Sequence, residues 1–206
     1  MLSHVWSSTV LGVDALPIEI ETHVEPGLPK WTVVGLPDGA VRESRDRVWA
    51  ALKNTGLAPP RGAVTVNLAP ADVRKEGAAF DLPIALGLLA ASGHPVALER
   101  LEDLFVLGEV ALDGALRPVR GVLPMAIRAR AEGKRGVIVP EENAPEAAVV
   151  EGLEVYGVRS LRDAVALLTD GAEPFRRDLG ALLDAAHTYP IDFAEVRGQE
   201  GTKRAL

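Results

Sequence analysis

Between Asp81 and Gly93 the chain reads DLPIALGLLAASG, and a helix over this stretch has no polar face to turn toward water. Pro83 falls in its first turn, where a missing backbone N–H breaks no helical bond. A helix that is apolar on every side is stable only at the centre of a molecule, so this segment predicts a buried central helix. With 206 residues and 48% hydrophobic content, the chain has material for one good core and needs no covalent staples.

The segments before it read mostly as strands. SSTVLG and LPIEIETHVEPG form a hairpin, because Ile18, Ile20 and Thr22 alternate with Glu19, Glu21 and His23 at the period of a half-buried strand. KWTVVGLP is a third strand, leading into a helix whose cap is Asp38, a carboxylate able to accept from the first free N–H groups. That helix runs to Gly56 and buries Val41, Ser44, Val48, Ala51 and Leu52. GAVTVNLAP reads as a nearly continuous apolar strand of a sheet interior.

The second half repeats the pattern. FVLGEVALDGALRPV reads as a hairpin turning at Asp113-Gly114, and GVLPMAIRARAEG as a helix with Pro124 early and Gly133 as its stop. RGVIVP and LEVYGV are short strands separated by the helix-like ENAPEAAVVEG, and SLRDAVALLTDG closes the domain behind a capping Ser160. Two hairpins interrupt the alternation of strands and helices, which predicts an α/β fold of the α+β kind with a mixed sheet rather than a doubly wound parallel one. The expected organisation is one domain over 1–170, a linker over 171–190, and the truncated start of another domain over 191–206.

The absence of cysteine excludes disulfides, thiolate zinc sites and a cysteine nucleophile, and agrees with a cytoplasmic location. The N-terminus lacks the basic region of a signal peptide, and no stretch is long and apolar enough for a membrane span, so no membrane partner is expected. His4, His23, His94 and His187 are scattered without a second ligand at metal spacing, so no metal is expected. Gly133-Lys134 superficially resembles the end of a Walker A loop, but no glycine precedes it at the needed distance and no Ser or Thr follows. No cofactor is therefore expected to bind within these residues. Each carboxylate is expected on solvated surface.

A formal charge of −7 argues against a domain that coats nucleic acid over its whole surface. From Ala40 to Glu76, however, the balance reverses. Arg42, Arg45, Trp49 and Lys53 fall at i, i+3, i+7 and i+11, which sets three cations and an aromatic ring on one helical face. One reading is phosphate contact with base stacking. The other is a solvated or subunit-packing face with Glu43 paired to Arg47 and Asp46 to nearby cations. In the turn Asp72-Val73-Arg74-Lys75-Glu76-Gly77, Arg74 and Lys75 would strengthen the anion preference of the following helix N-terminus, with a DNA phosphate as one candidate. Alternatively, Asp72, Arg74 and Glu76 pair locally and shape the turn.

Four segments, GLPDGAVRESRDRVWAALKNTG, VNLAPADVRKEGAAFDLPIALGLLAASG, LGEVALDGALRPVRGVLPMAIRARAEG and VIVPEENAPEAAVVEGLEVYGVRSL, occur in that order. Together they resemble the N-terminal domain of the ComM/YifB family, magnesium-chelatase-like AAA+ ATPases associated with bacterial natural transformation. IDFAEVRGQEGTKRAL resembles the start of that family's AAA+ module. The resemblance implies a homo-oligomeric, hexameric ring acting on single-stranded or branched DNA as a helicase that promotes branch migration. ATP and Mg would bind in the AAA+ part beyond Leu206. It also implies the fold of the Lon proteolytic domain, the RadA C-terminal domain and ribosomal protein S5 domain 2.

A Lon-type peptidase needs a nucleophilic Ser in a Gly-Pro-Ser-Ala-Gly turn and a Lys on a later helix to take its proton. In Gly77-Ala78-Ala79-Phe80-Asp81 the resemblance places Ala79 at the Ser position, and it places Leu123 at the Lys position. The expectation is a non-catalytic module that supports oligomerisation and guides DNA. Its rivals are a protease- or chelatase-related role and a purely structural oligomerisation domain.

Overall fold

The computed structural model describes residues 1–175. β1 (Leu2–Leu11) and β2 (Asp14–Glu25) form the expected antiparallel hairpin, with Val5 opposite Ile20 and Ser7 opposite Ile18. β3 (Lys30–Val34) runs parallel to β4 (Ala63–Ala69), and β4 pairs antiparallel with β2. On the other side of the hairpin, β5 (Leu104–Val106) lies parallel to β1. β6 (Glu109–Val110) and β7 (Leu116–Arg117) make a small ribbon of their own, while β8 (Gly136–Pro140) and β9 (Glu154–Val158) continue the main sheet in parallel. The order β3-β4-β2-β1-β5-β8-β9 makes the expected mixed seven-stranded sheet, its antiparallel pairs being β1–β2 and β2–β4.

Strand alternation divides the interior in two. Leu104 and Val106 of β5 and Ile138 of β8 face one core, whereas Phe105 of β5 and Val137 and Val139 of β8 face the other. The first core is closed by α1 (Gly39–Asn54), α2 (Asp81–Ala91) and α6 (Leu161–Asp170), with α3 (Leu98–Glu102) at its edge. The second is closed by α4 (Val122–Ala131) and the single turn α5 (Ala144–Ala147). Helices cover both faces of the sheet, the layered solution expected for α/β chains.

Every residue of α2 is buried, in keeping with its composition. Ser3 Oγ donates to Gly87 O at 2.8 Å, and a Cβ at Gly87 would lie 2.8 Å from Thr22 Oγ1, so the absence of a side chain is what lets α2 approach β1 and β2 so closely. The caps follow the sequence: Asp38 accepts from Val41 N at 2.8 Å and Ser160 Oγ from Asp163 N at 3.2 Å.

Some expectations need correction. The hairpin turning at Asp113-Gly114 is present but confined to β6 and β7, because Gly108 N–H donates to Ala79 O and Gly108 O accepts from Leu82 N, which separates β5 from it at the start of α2. ENAPEAAVVEG forms only a 3-10 turn and α5. β4 is interior to the sheet but covered on one face: Val64, Val66 and Leu68 are buried while Thr65 is exposed. The linker reading, apart from residues 171–175, and the start of a second domain fall outside the described residues. No helix among the described residues is long and apolar enough to cross a membrane.

Candidate nucleic-acid interface

The buried stripe of α1 is Val41, Ser44, Val48, Ala51 and Leu52, as the spacing predicts, and this fixes what the other face shows. Arg42, Arg45 and Lys53 are exposed along it, and Trp49 is half-buried. Arg42 and Lys53 have no ion pair among the described residues, and Arg45 reaches only Asp46, at 4.0 Å and in solvent. A pair so exposed contributes little, so three cations remain available on this helix.

Arg47 interrupts the cationic row and turns inward. Its Nε and Nη2 donate to Asp81 Oδ2 and Oδ1 at 2.7 and 2.9 Å, and Nη2 also donates to Ala40 O at 2.8 Å. Asp81 is fully buried and accepts in addition from Val110 N at 3.3 Å. Burial pushes the Asp81 carboxyl up, against the opposing pull of Arg47, and the hydrogen bond to Asp81 raises the Arg47 guanidinium. The expectation that each carboxylate lies on solvated surface fails here. Asp81 opens a helix with no polar face, and that composition was the available signal that its carboxylate needs a buried cation. The expected Glu43–Arg47 contact is also present, at 3.7 Å.

The turn before α2 separates its two basic residues. Lys75 has no solvent exposure: Nζ donates to Pro70 O, its N–H to Leu36 O at 3.2 Å, and its carbonyl accepts from Asp38 N at 3.0 Å. Burial lowers the Lys75 ammonium, with Asp72 opposing the shift. The expectation that Lys75 contacts nucleic acid is therefore corrected: the ammonium is spent on an internal carbonyl and braces the turn. Arg74 instead points outward, with Nε 3.1 Å from Glu76 Oε1 and both side chains mostly exposed, so the local ion pair expected as the alternative is present.

Two residues singled out in separate segments meet. Arg42 and Arg74, with Leu36, Pro37, Asp38 and Gly39, line a cavity of about 360 Å³ in front of α1. Asp38 Oδ2 accepts from Gly77 N at 3.2 Å while Oδ1 caps the helix, so one carboxylate ties the helix start to the Arg74 turn. Arg45 and Trp49 line a second cavity of about 110 Å³ with Pro29, Lys30, Trp31, Asp46 and Gly62. Lys53 lines neither.

Ala79 lies in the 3-10 turn Ala78–Phe80 and lines a cavity of about 380 Å³ with Ser8, Thr9, Glu76, Glu109, Arg120 and Met125. Ser8 Oγ donates to Leu16 O, and no His or Lys lines this cavity. Leu123 is not among its lining residues. It packs against the second core, and its N–H donates to Glu146 Oε1 at 2.9 Å. Among the described residues no cluster of acidic residues and histidines could hold a metal ion.

Comparison with known proteins adds the following. Residues 20–143 match the family model described as subunit ChlI of Mg-chelatase. The whole chain is 41% identical to the competence protein ComM of Haemophilus influenzae and 43% identical to the uncharacterized protein YifB of Salmonella typhimurium, covering 40% of each. Over 77% of the chain it is 30% identical to 34% of the DNA repair protein RadA of Escherichia coli. The chain thus spans about 40% of the length of the full-length curated relatives it matches.

Proposed function

Because the chain belongs to the ComM/YifB family of magnesium-chelatase-like AAA+ ATPases, we propose that it is a non-catalytic, DNA-contacting module of a ring-forming motor. The carrying observation is the convergence of Arg42 and Arg74 on one cavity, continued along α1 by Arg45 and Lys53. Guanidinium groups of this kind grip phosphate oxygens without reading sequence. ATP hydrolysis and Mg binding belong to the remainder of the full-length protein. Its activity is that of a helicase promoting branch migration, as a hexamer in the cytoplasm. The module's part is to help order the subunits and to guide single-stranded or branched DNA. The RadA similarity supports the link to DNA, since that relative is named as a DNA repair protein.

Peptidase chemistry is set aside on the residues at the turn. Ala79 carries no nucleophile, and Leu123 could take no proton.

The test is full-length protein carrying Arg42→Ala, Arg45→Ala and Lys53→Ala, assayed for binding and unwinding of forked DNA. Both should fall while ATP hydrolysis without DNA stays unchanged. Unaltered unwinding sinks the basic-face proposal, and cleavage of an unfolded protein by the unaltered chain sinks the non-catalytic one.

A further inference from the structure

Two of the chain's three tryptophans meet at one place. Trp31 of edge strand β3 and Trp49 of α1 pack edge to face, with centroids 6.4 Å apart and planes at 85°. Trp31 packs in part against the first core, whereas Trp49 lies outside that core and is half-buried at the surface. The pair lines the 110 Å³ cleft, flanked by Lys30 from the strand and Arg45 from the helix. Lys30 is exposed and has no ion pair among the described residues. Trp31 Nε1 is shielded from water and has no hydrogen-bond partner among the described residues, although a buried indole N–H usually finds one.

We propose that this cleft receives a single unstacked nucleobase, so that the module recognises single-stranded rather than duplex DNA. The proposal rests on the DNA-contacting reading above and adds to it a base site that includes Lys30 and Trp31. The chemistry fits one ring. The volume is well below the roughly 300–1,000 Å³ of pockets that enclose whole small molecules, so a planar heterocycle can seat against Trp49 while its sugar and phosphate stay outside. Lys30 from β3 and Arg45 from α1 both line the cleft, where they can hold the flanking phosphates. A paired, stacked base cannot enter, which is the source of the preference.

The experiment uses the full chain and fluorescence anisotropy with three labelled probes: an oligothymidylate, an abasic oligomer of equal length and charge, and a blunt duplex. The unaltered protein should bind the oligothymidylate tightest. Trp49→Leu, which keeps apolar bulk but removes the stacking face, should weaken that binding roughly 5- to 100-fold and leave the abasic oligomer unchanged, whereas Trp49→Phe should retain most of it. Equal binding of oligothymidylate and abasic oligomer by the unaltered protein overturns the proposal. So does an equal loss of both in Trp49→Leu, which would mark the position as structural or as a protein-docking surface. Arg42→Ala with Arg74→Ala separates the two readings. If it is silent while Trp49→Leu is selective, the phosphate contact fails and the base site stands; if no probe binds the unaltered protein, both fail.

Discussion

Asp81 and Arg47 form an ion pair whose carboxylate is wholly internal. The carboxylate is fully buried and takes two guanidinium bonds and one backbone bond, so each partner depends on the other for its solvation. Removing Arg47 leaves the buried carboxylate uncompensated, whereas removing Asp81 leaves a guanidinium that is 21% exposed and still donates to Ala40 O. Arg47→Ala is expected to cost about 3–5 kcal/mol, read as a lower midpoint in chemical denaturation, and Asp81→Ala should cost less. The double replacement Arg47→Met with Asp81→Leu should recover most of the loss, because apolar residues of similar volume need no partner there. If the single changes prove additive, the two side chains do not act as a pair. Sequence reasoning placed Arg47 correctly on α1 and found its surface contact with Glu43, but not this inward one. Pairing across 34 positions depends on where α2 sits against α1, which local spacing does not encode.

At the scale of elements, α2 sets the geometry and Gly87 sets how near it comes. In an isolated helix, alanine is favoured over glycine by about 1 kcal/mol. Here a Cβ would stand 2.8 Å from Thr22 Oγ1, on a residue with no exposure and little room to yield. Gly87→Ala should therefore destabilise despite its better propensity, by about 1–3 kcal/mol as overpacking does, seen as a fall in thermal midpoint. Thr22→Ala in the same chain should return part of it. The same contrast explains which elements were legible. The all-apolar α2, the 3-and-4 stripe of α1 and the alternating β2 follow from periodicity, since burial writes itself into the pattern. The redirection at Gly108 does not, because it is made by backbone bonds to Ala79 and Leu82 that any sequence could donate. Nor does the five-residue α3, too short for a period to show. The candidate interface was legible in part for the same reason: helical spacing put Arg42, Arg45, Trp49 and Lys53 on one face, whereas Trp31 and Lys30 reach it only through the packing of β3 against α1.

Across the whole molecule the charge is −7, from 22 basic and 29 acidic residues, so a polyanion is repelled by most of the surface and can approach only where the balance reverses. Binding through the α1 face should then be weak for one domain and strongly oriented, and a ring would multiply it by presenting several copies. Five exposed cations, Arg42, Arg45, Lys53 and Arg74 with Lys30 at the base cleft, are in position to displace counterions. The logarithm of the association constant for single-stranded DNA should fall with the logarithm of salt concentration at a slope of about −3.5, and lose about 0.7 of a unit of slope for each of these removed. Lys75 belongs to the same basic stretch of sequence yet is wholly internal, its ammonium on Pro70 O and its backbone on Leu36 and Asp38. Lys75→Met, which keeps the aliphatic stem, should lower the thermal midpoint by loosening the turn that presents Arg74, while the salt slope of the protein that remains folded stays the same. Measuring slope and midpoint together on Lys75→Met and Arg74→Ala separates a cation that holds the surface in place from one that meets the ligand. A slope change in Lys75→Met with no fall in thermal midpoint would mean that its ammonium leaves the interior to reach DNA, and the assignment of Lys75 as a brace would be wrong.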